Sequence, residues 1–132
     1  MKLFCCVALL LLPVLIIAED DPDFFQKPYG TFSDLRFDEQ SGDISGVEIR
    51  IVPVGEKKFQ AAVQIAEGEA GELMVCDVTI EGRSVRFTID KKYKFAGTFE
   101  GTFSIAELEG RLTFSGGRFM KLKLPRAKSF WD

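Results

Sequence analysis

The feature that most constrains this chain is an alternation of apolar and polar residues with a period of two. Successive side chains of a β-strand point to opposite faces, so this period predicts strands with one buried and one solvated face. The longest run has Tyr93, Phe95, Gly97, Phe99, Gly101, Phe103 and Ile105 on its apolar parity. Shorter runs cover residues 31–37, 44–54, 59–65, 73–81, 85–89, 108–114 and 120–124, and no segment has a comparable helical period.

The connections between these runs are short. A parallel crossover needs about a dozen residues or more, so neighbouring strands must be antiparallel. Glu81-Gly82-Arg83-Ser84 is typical of a tight hairpin with glycine first in the loop. We therefore expect an all-β chain, built as an antiparallel meander of about eight strands.

A long sheet with one apolar face hides its edges best by closing on itself. A small up-and-down β-barrel is therefore the first expectation, and a two-sheet β-sandwich is the second. This calycin-like outline is similar to that of lipocalin-like and avidin-like barrels. The sequence lacks the lipocalin Gly-x-Trp signature, so it indicates no particular family.

The N-terminus has the order of a secretory signal peptide. Lys2 precedes an uncharged apolar run that ends at Ala18, which is shorter than the roughly 20 residues of a transmembrane helix. We expect residues 1–18 to be cleaved after Ala18, with an uncleaved anchor as the alternative. Residues 19–29 are then an acidic leader, residues 30–132 form a single β domain, and the protein is secreted or periplasmic.

The residue inventory disfavours most catalytic sites. The chain has no histidine, and Cys76 is the only cysteine outside the signal segment, which excludes Ser-His-Asp and Cys-His triads and structural zinc. Carboxylates, such as Glu107 with Glu109 or Asp77, are the remaining catalytic alternative, and solvated strand faces explain them more simply. We predict no enzyme activity, metal or cofactor. The net charge of −3 argues against nucleic-acid binding.

Three glycines on the apolar parity suggest a binding site inside the barrel. Their missing side chains leave room for a small apolar ligand, unless neighbouring Phe rings fill the gap while the glycines let the sheet bend. The candidate interior ligand-binding residues are Phe95, Gly97, Phe99, Gly101, Phe103 and Gly110.

The C-terminal segment offers a surface alternative. Residues 118–128 contain five basic residues and no acidic one, and the only tryptophan lies next to the last residue. The candidate partner-binding residues are Arg118, Lys121, Lys123, Arg126, Lys128, Phe130 and Trp131. They could contact a protein or an anionic envelope surface, including peripheral membrane contact. Equally, the lysines could protect a strand edge while the tail packs on the barrel.

The sequence thus predicts an exported, non-catalytic binding protein, with an unknown small apolar ligand inside a β-barrel. The alternative is an envelope or extracellular protein-interaction module, which acts through its basic C-terminal strand and Phe-Trp tail.

Overall fold

The computed structural model describes residues 27–132, which form nine β-strands and no helix. The strands are β1 (Gly30–Ser33), β2 (Arg36–Phe37), β3 (Ile44–Gly55), β4 (Lys58–Gly68), β5 (Met74–Glu81), β6 (Ser84–Ile89), β7 (Gly97–Phe103), β8 (Glu107–Phe114) and β9 (Phe119–Pro125). No helix in this range could cross a membrane. The predicted signal peptide and most of the acidic leader lie outside the described residues.

All nine strands belong to one antiparallel sheet. Its order is β1-β3-β4-β5-β6-β7-β8-β9, and β2 lies beyond β1 on the same edge of β3. The sheet curls into a nearly closed barrel with one unsealed seam between its first and last strands. The predicted antiparallel meander and its barrel form are therefore confirmed.

The first predicted strand is interrupted at Asp34. The Asp34 carboxylate accepts a hydrogen bond of 2.7 Å from the Val47 amide, and its own amide donates to the Val47 carbonyl at 3.1 Å. The side chain thus takes a place that a backbone carbonyl would hold in a regular ladder. The expected strand 31–37 becomes β1 and β2, both paired with β3.

The longest predicted strand is shorter in the structure than the alternating run of the sequence. β7 covers only Gly97–Phe103, and Tyr93 lies in the preceding loop. There the Asp90 carbonyl accepts the Tyr93 amide at 3.1 Å, and the Asp90 carboxylate accepts the Lys92 amide at 2.9 Å. These turn bonds occupy groups that a longer strand would use. The Tyr93 side chain still packs against the core from the loop.

The inward parity of the strands builds one apolar core. The fully buried residues with the largest side chains are Phe32, Phe99, Ile49, Ile51, Ile65, Met74, Ile89, Leu108, Leu112 and Leu124. Cys76 is buried on the same parity, as the alternation predicts. Gly82 begins the β5–β6 turn with φ of 59°, a left-handed conformation that suits glycine, and the predicted hairpin is present.

The seam joins β1 to β9 at one end only. Phe32 and Arg126 form a single antiparallel bridge, and the Ala127 amide donates to the Thr31 carbonyl at 3.0 Å. After Ser33 the chain continues into β2, which pairs with β3. Within residues 27–132, the Phe119–Leu124 part of β9 pairs with β8 alone.

Candidate functional site

The barrel interior beside the glycines is occupied by the Phe99 ring. Gly101 and Gly110 are cross-strand partners, and a Cβ atom added to either would lie 2.6 or 2.7 Å from Phe99 Cζ. Phe99 itself has no exposed surface and stacks on Phe87, with ring centroids 4.9 Å apart. The space left by the two missing side chains therefore holds a side chain of the protein itself.

The other interior candidates lie apart from one another. A Cβ atom on Gly97 would collide with the Thr113 carbonyl, so this glycine permits close approach of β7 and β8. Phe95 lies in the β6–β7 loop, half-buried, with its ring 6.0 Å from that of Phe114. Phe103 is buried at the opposite end of β7. The six candidates thus line different levels of the core, around the Phe99 ring.

Arg126, predicted to bind a partner, joins the two sides of the seam. Its guanidinium donates to the carbonyls of Tyr29 at 2.8 Å and Lys27 at 2.9 Å on one side. On the other side it donates to those of Ile105 at 3.0 Å and Ser104 at 3.1 Å. Burial lowers the pKa of this guanidinium. Because one planar group satisfies four carbonyls of two segments, Arg126 has a structural role.

The lysines of β9 lie on the outer surface beside acidic neighbours. Lys123 is 3.7 Å from the Glu107 carboxylate and is the cross-strand partner of Glu109. Lys121 is paired across the strand with Arg111, whose guanidinium covers the exposed Phe119 ring at 4.3 Å. Positive charge is therefore concentrated towards the Phe119 end of β9, and Glu107 and Glu109 balance the other end. Two further candidates, Arg118 and Lys128, are exposed.

The C-terminal tail folds back onto the outside of β3. The Glu48 carboxylate accepts hydrogen bonds from the Ser129 hydroxyl at 2.7 Å and the Phe130 amide at 2.8 Å, and Arg50 lies 3.7 Å away. Glu48 is only 5 % exposed, although it is on the outward parity, because the tail covers it. Burial alone would raise the pKa of Glu48, but the bonds from Phe130, Ser129 and Ser33 and the charge of Arg50 lower it overall.

Trp131 continues this contact onto β4. Its indole N–H donates to the Gln64 side chain at 2.7 Å, and Gln64 in turn donates to the Gly71 carbonyl at 2.8 Å. The Trp131 ring meets the Phe130 ring edge to face at 4.8 Å. Trp131 nevertheless stays 53 % exposed, so the tail presents one face of the indole to solvent.

Sequence reasoning missed a group of exposed apolar residues on one wall of the barrel. Five of the nine exposed large apolar side chains belong to the wall formed by β3, β4, β5 and the tail docked on it. We call this set the outer apolar face: Val52, Val54, Leu73, Val75 and Trp131. The signal was available, because Leu73 and Val75 make the 73–81 run apolar on both parities at its start.

The opposite wall, formed by β6, β7 and β8, has a different outer surface. Its outward residues are all polar or charged: Ser84, Arg86, Thr88, Thr98, Glu100, Thr102, Glu107, Glu109, Arg111 and Thr113. Cross-strand neighbours form an Arg86–Glu100 ion pair of 3.3 Å and a Thr88–Thr98 hydrogen bond of 3.3 Å. The wall of β3, β4 and β5 thus exposes large apolar side chains together with polar ones such as Arg50 and Asp77, whereas the strands of the opposite wall expose only polar or charged side chains.

A cleft of about 420 Å³ opens where β5 and β6 separate. Their pairing ends at Val78 and Phe87, and Cys76 is one of the residues that line the gap. Burial, with a smaller contribution from the charge of Asp77, raises the pKa of the Cys76 thiol to about 11. At neutral pH the thiol is protonated and a poor nucleophile.

The carboxylates considered for catalysis are not assembled into a site. Asp77 is exposed and accepts a hydrogen bond of 3.1 Å from Gln60. Glu107 is paired with Lys123 as described above. In residues 27–132, no three His, Cys, Asp or Glu side chains gather closely enough to hold a metal ion.

Comparison with known proteins assigns no relative. The chain matches no protein-family model, and no curated protein or solved structure is significantly similar to it.

Proposed function

We propose that this chain is an exported, non-catalytic binding protein that recognises a protein partner through its outer apolar face. Export rests on the signal-like residues 1–18. The observation that carries the binding proposal is the unequal distribution of exposed large apolar side chains over the barrel exterior. One wall exposes Val52, Val54, Leu73, Val75 and Trp131, and the other exposes only polar side chains on its strands.

Exposed apolar side chains gathered on one surface favour association. Burying apolar surface contributes about 25 cal/mol per Å², and gathered exposed apolar side chains on soluble proteins mark protein-binding surfaces. Trp131 is suited to anchor such a surface, since tryptophan is enriched among the residues that dominate binding energy. The bond to Gln64 fixes the indole in place before binding, which reduces the entropy lost when a partner docks.

The interior offers less support for binding. The Phe99 ring fills the gap beside the glycines, and it contacts the positions that Cβ atoms of Gly101 and Gly110 would occupy. A small apolar ligand would have to displace this buried ring and its stacking on Phe87. We therefore place the binding surface outside the barrel.

The test is binding with substitutions on each wall. The chain from residue 19, immobilised through a tag, would capture proteins from the envelope and medium of the producing organism, and the affinity of each captured protein would then be measured. We expect Val75→Lys and Trp131→Ala to weaken a specific complex at least about tenfold. Thr98→Lys is the matched control, because it places the same charge on the polar wall.

Circular dichroism would verify that every variant is folded. A complex that survives Val75→Lys and Trp131→Ala but is lost with Thr98→Lys would overturn the proposal, as would the absence of any saturable complex.

A further inference from the structure

The unpaired edge of β9 is a second surface, independent of the outer apolar face. Of the strands in residues 27–132, only β8 pairs with Phe119–Leu124. Across the seam, β1 reaches β9 only at Arg126 and Ala127. β2, which follows along the same side of the seam, pairs only with β3.

The hydrogen-bond register shows which backbone groups face this seam. The Arg118 carbonyl accepts from Phe114 at 2.8 Å and the Arg126 amide donates to Ala106 at 2.7 Å, so even-numbered residues of β9 point to β8. The Ala127 amide points across the seam instead, to Thr31. Because these directions alternate in an antiparallel strand, the amides and carbonyls of Phe119, Lys121 and Lys123 face the seam without a strand partner.

The rims of the seam are basic and aromatic. Lys121 and Lys123 project outward from β9, and Arg36 and Phe37 are exposed on β2. Phe119 is likewise exposed at the end of β9. The rims thus combine three cations with two exposed rings.

Two of the acidic residues beside β2, Asp34 and Asp38, accept hydrogen bonds from backbone amides. The Asp34 carboxylate accepts the Val47 amide at 2.7 Å, and the Asp38 carboxylate accepts those of Gln40 and Ser41 at 2.8 and 3.1 Å. Of the three cations on the rims, Lys123 pairs with Glu107 at 3.7 Å on the outer surface, and Lys121 and Arg36 form no ion pair with a carboxylate of residues 27–132.

We propose that the seam binds an extended, acidic segment of a partner protein by addition of a strand to β9. The free amides and carbonyls of Phe119, Lys121 and Lys123 supply main-chain hydrogen bonds, and outward acidic side chains of the added strand face the lysines. Lysines at an exposed edge repel the same edge of a second copy, so the charge selects an acidic strand over self-association.

The test uses a synthetic eight-residue peptide that alternates Glu and Val, added to the chain from residue 19. We expect saturable binding by fluorescence anisotropy and slower hydrogen exchange at the amides of Lys121 and Lys123. A peptide that alternates Lys and Val is the charge control, and N-methylation of alternate peptide amides removes the main-chain bonds. Neither control should bind.

Two variants separate this site from other surfaces. Lys121→Glu combined with Lys123→Glu should weaken the affinity for the acidic peptide at least about tenfold. Arg86→Glu, on the polar wall, should leave this affinity unchanged. Val75→Lys should also have no effect, so failure here and failure of the outer apolar face are distinguishable.

Three results would overturn the proposal. The first is absence of peptide binding, and the second is binding that the double lysine variant retains. The third is protection of the Lys121 and Lys123 amides before any peptide is added, because the edge would then have no free amides to offer a partner.

Discussion

Replacement of Phe99 by alanine tests whether this ring is what fills the barrel. The ring is completely buried and stacks on Phe87. Phe→Ala substitutions in cores cost about 3–5 kcal/mol, and the cost rises when the surroundings cannot close the gap. Gly101 and Gly110 have no side chains that could move into it. We expect a loss of about 4–5 kcal/mol, a large part of the roughly 5–15 kcal/mol typical of a domain.

The free energy of unfolding would be measured by urea titration followed by far-UV circular dichroism, since the only tryptophan reports on the tail. Phe119→Ala is the control: it removes an exposed ring and should change stability by at most about 0.5 kcal/mol. Benzene should raise the urea midpoint of Phe99→Ala and not that of the parent chain, because it can enter the new apolar cavity. A Phe99→Ala cost below about 1 kcal/mol would refute the argument that this ring fills the interior.

Three further predictions concern single groups. Glu48→Gln should cost about 1–3 kcal/mol at pH 7, because the two bonds from the tail go to different carboxylate oxygens and glutamine keeps only one of them. The folded-state pKa of Glu48 is below its ordinary 4.5. The difference in free energy of unfolding between parent and variant should therefore be constant at neutral pH and shrink as the pH falls through that lowered pKa. Urea titrations at several pH values would show this. Arg126→Lys should cost about 2 kcal/mol and speed hydrogen exchange at the Ala127 amide, since one ammonium cannot serve four carbonyls; unchanged exchange would contradict the role of Arg126 in the seam. In the native protein, Cys76 should react with a disulfide reagent at pH 7.5 at least about tenfold more slowly than in urea, and equal rates would contradict its burial.

The architecture could be predicted because alternation and short connections act at the level of whole strands. Within the strands from β3 to β9, the inward parity that the sequence indicates is the inward parity of the barrel. Ile105, placed on the apolar parity of the longest run, lies beyond the end of β7 and is exposed. The predicted ends of the strands were less accurate, because local hydrogen bonds decide where a strand ends. Asp34 interrupts the first strand with its side chain, and Asp90 starts a turn before β7, and neither effect alters the alternation.

The candidate residues were harder to interpret because their roles depend on distant partners. In the sequence Arg126 has the character of a free cation. In the structure its acceptors include carbonyls that lie 97 and 99 positions away along the chain. The alternation predicts Glu48 as an exposed strand residue, but in the structure Ser129 and Phe130, from the other end of the chain, cover it. Periodicity carries no information about such contacts.

The seam also has a consequence for the order of folding. Every strand pair in the main ladder joins neighbours in sequence or strands separated only by β2, so hairpins can form as soon as their two halves exist. Closure is different, because Arg126 must find Tyr29 across 97 positions. The contact of β1 with β9 therefore forms only after Arg126 has been synthesised, and a chain truncated before Arg126 can build its hairpins but lacks the bonds that join the two sides of the seam.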